Sequence, residues 1–161
     1  MNKEFEKWLQ DNEWQVEVHL SDFDCSKNDV LKRFRNIPDS FLGFLEYFKS
    51  ITSKDDTTWF LCGSDYKDDS DDAFKWNEYK LMSLEAAEGD SDWKKEIEEW
   101  WSDKLPFLMS VKGGYSFYAI DLGENKGTII KGEEPEFEEA YVIANEFEDF
   151  LQKIMNNEVI L

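Results

Sequence analysis

The sequence predicts an α+β fold: a mostly antiparallel sheet with a central hairpin at about residues 105–122 and flanking helices. Three observations carry this. First, Leu105–Leu122 reads LPFLMSVKGGYSFYAIDL, with the apolar runs Pro106–Val111 and Tyr115–Leu122 on either side of Lys112-Gly113-Gly114. Glycine reaches positive φ without steric cost, so Gly-Gly between β-rich runs reads as a hairpin turn. The second run is apolar in both phases, as a strand covered on both faces in the middle of a sheet must be. Second, apolar residues recur with helical spacing in Phe41, Phe44, Leu45 and Phe48, and again in Phe147, Phe150, Leu151 and Ile154. Third, Thr57–Cys62 is β-branched and aromatic and bounded by Asp55-Asp56 and Gly63, the punctuation of a strand.

Taken in order, Phe5, Trp8 and Leu9 predict a short amphipathic helix that packs weakly at the start. Residues 14–20 alternate as an edge strand or extended segment. Ser26 followed by Asp29 has capping-box spacing and predicts a helix with Val30, Leu31 and Phe34 on its inner face. Pro38 fits the first turn of the next helix, where its missing N–H costs nothing. After the strand at 57–62 come five acids in the eight residues Asp65–Asp72, read as an exposed loop. Residues 74–84 show strand character through Trp76, Tyr79, Leu81 and Met82. Trp93, Ile97, Trp100 and Trp101 define a helix whose opposite face is Glu96, Glu98 and Glu99. Beyond the hairpin, Gly127–Ile130 is a third meander strand and residues 132–141 an acidic, partly ordered connection. Asn145 with Glu148 repeats the capping-box spacing and opens the last helix. The expected result is one domain over 1–161, one layer of helices on the sheet, with an acidic loop inserted at 64–73.

Acidic residues number 37 against 18 basic, a formal net charge of −19. Such an excess repels nucleic acid and anionic membrane alike, and suits a basic protein partner. Cys25 and Cys62 lack the spacing of a disulfide framework or zinc site. The N-terminal stretch mixes acids with Trp and has no apolar core of a signal peptide, and no apolar run approaches the ~18–20 residues of a membrane helix. A cytoplasmic location is the expectation.

Catalytic signatures are missing. His19 is the only histidine, with no G-x-S-x-G and no neighbouring cysteine, and reads as a surface or half-buried strand residue. Residues 65–72 offer oxygens without the glycine and closing glutamate of an EF-hand, so no metal or cofactor is expected. With so many carboxylates, any glycosidase-like pair is uninformative. Gly113-Gly114 stands outside either phosphate-binding glycine motif. Trp100 and Trp101 cannot both bury their rings on one narrow helix face, which leaves one available to a partner.

The order of several short motifs adds a family. Asn36-Ile37-Pro38-Asp39-Ser40-Phe41-Leu42-Gly43-Phe44-Leu45 resembles the helix start of the SUKH superfamily, which includes the SMI/KNR proteins. Leu105-Pro106-Phe107, Gly113-Gly114 and Tyr118–Leu122 resemble its central hairpin. Gly132–Glu139, Ile143-Ala144 and Phe147–Leu151 resemble its C-terminal end, so the likeness spans roughly residues 26–155. Many members carry Asn-Gly after the early helix where this chain has Lys49–Thr52, and Gly-Asp after the glycines where it has Gly114-Tyr115.

The resemblance implies a protein with no enzymatic activity and no catalytic residues. Bacterial members resemble immunity proteins that bind and block a cognate polymorphic toxin, often a nuclease; fungal members are interaction scaffolds. Both readings stand at this point: an immunity protein against a toxin, or an SMI/KNR-type scaffold or regulatory binding module without one. Residues 55–103 hold 16 acids and 5 bases, and residues 133–150 hold 8 acids and no base. For a basic toxin partner, the expected contacts are Asp65, Asp68, Asp69, Asp71 and Asp72, with Tyr66 and either Trp100 or Trp101 as anchors.

Overall fold

Seven strands pair antiparallel, each with its neighbour in the chain, to form an open sheet in the order β1 to β7. The computed structural model describes residues 1–21 and 23–161. Strands β1 (Gln15–Val18), β2 (Phe48–Thr52), β3 (Thr58–Phe60) and β4 (Lys104–Ser110) are followed by β5 (Ser116–Asp121), β6 (Thr128–Glu133) and β7 (Tyr141–Ala144). Helices α1 (Asn2–Asp11) and α2 (Asp39–Tyr47) precede β2, α3 (Glu78–Ala86) and α4 (Ser91–Trp101) lie between β3 and β4, and α5 (Phe147–Met155) follows β7. A class of α+β is therefore what the chain adopts.

Strands β4 and β5 stand fourth and fifth in the order and are buried along almost their whole length. Gly113 (φ 72°) and Gly114 (φ 129°) make the turn between them. A Cβ on Gly114 would meet the Glu134 carboxylate at 3.0 Å, and that same Oε1 accepts the Tyr115 N–H at 2.8 Å.

Helices cover both faces of the sheet, where one layer was expected. On one face α1, α2 and α5 assemble a phenylalanine core around Phe44, whose ring centre lies 4.7 Å from Phe48, 5.1 Å from Phe147 and 5.6 Å from Phe60. Phe107 joins it at 5.2 Å from Phe147 and 5.3 Å from Phe150. On the other face α3 and α4 meet Phe117, which lies 4.8 Å from Trp101 and 6.0 Å from Tyr79. Adjacent residues of β5 point to opposite faces, so Phe117 serves the second core while Tyr118 stacks near Phe150 in the first, at 5.1 Å. Apolar residues in both phases of β5 carry this sandwich, since a strand exposed on one face would need polar residues in alternate places.

Several local expectations change. Residues 25–33 form two short 3-10 turns in place of one helix, because two Asx side chains compete for local N–H groups. Asp24 accepts from Ser26 at 3.0 Å, and Asn28 accepts from Val30 and Leu31 at 3.0 Å each. Pro38 stands just before α2 rather than in its first turn, and Phe48 opens β2 rather than ending α2. Residues 78–86 are helical, not a strand: Glu, Lys, Leu, Met and Ala favour helix, and Tyr79 and Ser83 give that helix its narrow buried side. The connection at 132–141 holds the end of β6 and the first residue of β7, and it buries Phe137 against Tyr79 at 4.8 Å. Helix α1 packs tightly, with Phe5 and Leu9 at 0% exposure. At α5 the N-cap is Glu146 without a side-chain bond, and Asp149 rather than Glu148 reaches back to the Asn145 N–H, at 2.9 Å.

Candidate functional site

The acidic loop is more tightly built than an exposed loop. Gly63–Asp65 turns as a short 3-10 segment, closed by Asp65, whose Oδ2 accepts the Cys62 N–H at 2.7 Å. Burial raises the Asp65 carboxyl above the ordinary carboxylate range, the opposite of what a free contact residue would show. Asp68 forms a forked ion pair with Arg33 and accepts from the Trp76 indole at 3.4 Å. The Arg33 guanidinium holds the Asp68 carboxyl below its usual range. Asp72 accepts from the Ser70 hydroxyl and lies 4.0 Å from Lys67. Only Asp69 and Asp71 are exposed with no hydrogen bond or ion pair among the described residues.

Tyr66 is a correction. It is 2% exposed, donates its hydroxyl to the Pro106 carbonyl at 2.7 Å, and packs 6.3 Å from the Trp76 ring. A ring between β4 and the loop cannot anchor a partner; an aromatic residue flanked by carboxylates is here the pin that holds the loop to the sheet. Trp101 is likewise buried, at 4%, and donates its indole N–H to Glu138 at 2.6 Å. Trp100 is half-buried, its ring edge-on to Trp101 at 4.9 Å. His19 is half-buried just past β1, stacked on Phe23 at 5.0 Å.

Trp100 does not meet the acidic loop. It borders a groove of about 400 Å³ on the second face, between the end of α4 and the turn after β5. Ile130 and Val142 floor it, and Glu99, Asp103, Asp121 and Glu124 supply carboxylates. Lys104, its one base, lies 5.2 Å from the Trp100 ring centre and 3.2 Å from Asp121, and also pairs with Asp103. Asp121 is further held by the Gly123 N–H at 2.9 Å and the Asn125 amide at 3.3 Å. Beside the groove, the edge strand β7 exposes Tyr141 at 49% and Val142 at 53%.

Sequence reasoning missed this groove because its walls come from residues 99 to 142. One signal was present: Asp121 is the only charged residue in the run 115–122, and a carboxylate on a two-faced strand must find partners. Trp93, exposed at 46% near the start of α4, is a further aromatic that stays outside the core. Among the described residues no three His, Cys, Asp or Glu side chains gather as a metal site, and no helix is long and apolar enough to cross a membrane. Comparison with protein-family models, curated proteins and solved structures finds no match to this chain.

Proposed function

We propose that this chain is a non-catalytic immunity protein of the SUKH type, with the β4–β5 hairpin as its family-marking centre. It binds and neutralises a basic toxin domain, such as a nuclease, in the cytoplasm. The observation that carries the reading is the distribution of free charge. Asp69 and Asp71 on the loop, Glu96 and Glu98 on the outer side of α4, and Glu99 and Glu124 at the groove are all exposed on a chain of net charge −19. A nuclease cleft is basic because it holds phosphates, so a carboxylate surface complements it and accelerates encounter. The helices and sheet act as scaffold, and no bond-making step is assigned to any residue.

The test mixes the purified chain with the toxin domain encoded by the adjacent reading frame. It then asks whether co-expression restores growth to cells making that domain. A stable complex with growth rescue is expected, and association should slow steeply as salt is added. A complex that forms at the same rate from low to high salt removes the electrostatic argument; no complex and no rescue removes the function.

A further inference from the structure

We propose that the groove beside Trp100 is the seat of an arginine side chain from the protein partner, an inference that rests on the reading that the partner is a protein. The groove carries four carboxylates against one lysine, and that lysine is already spent on Asp103 and Asp121. Among the described residues Glu124 has no ion-pair partner, and Glu99 has only the exposed Lys95 at 3.7 Å. Two rim carboxylates therefore face the opening with free oxygens, above a floor of Ile130 and Val142 that suits an aliphatic stem. A guanidinium matches what these surfaces leave open: its fork suits the rim carboxylates and its stem the apolar floor, while Lys104 already lies over the Trp100 ring at 5.2 Å. The groove volume, about 400 Å³, is within the range of pockets that enclose a ligand group.

Two other occupants fit less well. A second copy of this chain would bring another −19 of charge to a rim that is already acidic. A strand added to the edge of β7 meets a register shift opposite Ile129/Ile130 that leaves Ile143 unpaired, and the Ile143 carbonyl is taken by Lys153 at 3.0 Å. Bulges and lysines of this kind blunt a sheet edge. The approach is thus across the face, with Val142 joining the groove to the exposed strand.

The probe is the capped peptide acetyl-Gly-Arg-Gly-amide, compared with its citrulline isostere, titrated into the 15N-labelled full chain. Arginine-dependent shifts of the Trp100 indole N–H and the Val142 amide are expected, with citrulline giving neither. Shifts equal for both peptides, or confined to Asp69 and Asp71, overturn the proposal. In the toxin complex, Glu99→Gln/Glu124→Gln should weaken binding by roughly tenfold or more, as lost close charge pairs do. The charge-matched control Asp69→Asn/Asp71→Asn should have a clearly smaller effect. Equal losses in the two variants mean that bulk charge, and not the groove, is read, and this overturns the arginine seat while leaving the immunity reading intact. If no toxin binds the unaltered chain, the function fails instead, and the peptide titration still decides the groove.

Discussion

Replacing Tyr66 by phenylalanine removes one oxygen from a fully enclosed ring and separates a core role from a contact role. The hydroxyl donates to the Pro106 carbonyl at 2.7 Å, and Tyr66 is 2% exposed, so no water can take over the bond. Leaving a buried carbonyl unsatisfied costs about 1–3 kcal/mol. In a domain of this size each kcal/mol lowers Tm by roughly 2–4 °C, so Tyr66→Phe should melt roughly 2–12 °C below the parent. The backbone there stays in place, because the Asn28 amide holds the carbonyls of Gly63 at 3.1 Å and Tyr66 at 3.0 Å. Urea denaturation should show a lower midpoint with an unchanged slope, and partner affinity should not move. Tyr66→Ala adds an emptied ring volume and should lose about 3–5 kcal/mol in total, typical of a core aromatic cut to alanine. A Tyr66→Phe chain as stable as the parent but with weakened partner binding would refute the placement of this ring in the core.

Three further outcomes follow from the same packing. Phe44→Ala, at a side chain of 0% exposure amid five other phenylalanines, should cost about 3–5 kcal/mol by chemical denaturation. The Asp55 carboxyl is pushed down to about 2 by hydrogen bonds from Ser53 and Thr57. Its folded value lies below the unfolded one, so its contribution is present above the unfolded value near pH 3.9 and fades as pH falls toward 2. A carboxyl NMR titration should show that midpoint, and Ser53→Ala should move it upward. Lys104→Met strips the cation from an Asp121 side chain that is 5% exposed. The loss should be about 3 kcal/mol, the low end for a broken buried pair, because Gly123 and Asn125 still hold the carboxylate. Adding Asp121→Asn should recover at least half of it in the same denaturation assay.

What the sequence made legible was whatever repeated locally. Phe147, Phe150, Leu151 and Ile154 lie on one stripe of α5 and are all buried, because a one-sided helix has nowhere else to put them. The two-phase apolar pattern of β5 likewise carried its double coverage, although the helices were expected in one layer and the second layer, α3 and α4 against Phe117, emerged only in the fold. Strand β2 was hidden because α2 passes into it at Phe48 with no glycine or proline between, and Phe48 is at 0% exposure under either reading. Helix α3 misled for the converse reason: Leu81 is 38% exposed while polar Ser83 is buried, so its burial does not follow hydrophobicity. The roles of the loop carboxylates were illegible because an aspartate that closes a turn and one that faces solvent have the same letter. The distinction lies in which N–H groups the fold brings near.

That distinction separates two jobs that one net charge performs. Steering acts over a Debye length, about 8 Å at physiological salt, and counts every ionised carboxylate not cancelled by a neighbouring cation. A carboxylate that accepts a backbone N–H and has no ion pair, as Asp55 does, keeps its charge and contributes to steering in full, whereas Asp24 is offset by Lys27 at 3.1 Å. Holding a docked partner instead needs oxygens whose hydrogen-bonding capacity is unspent, and this removes Asp68, paired with Arg33, and Asp65, closed onto Cys62. Association rate should therefore respond alike to neutralising Asp55 or Asp69, because each change removes one unpaired surface charge. Dissociation rate should respond only where free oxygens meet the partner. The dense run at 65–72 is thus a poorer guide to contact than its composition implies, since three of its five acids hold the loop to itself or to Arg33. Of the sparser carboxylates around Trp100, scattered through the chain and gathered by the sheet, Asp103 and Asp121 are spent on Lys104, but Glu99 and Glu124 keep the capacity that the loop has used.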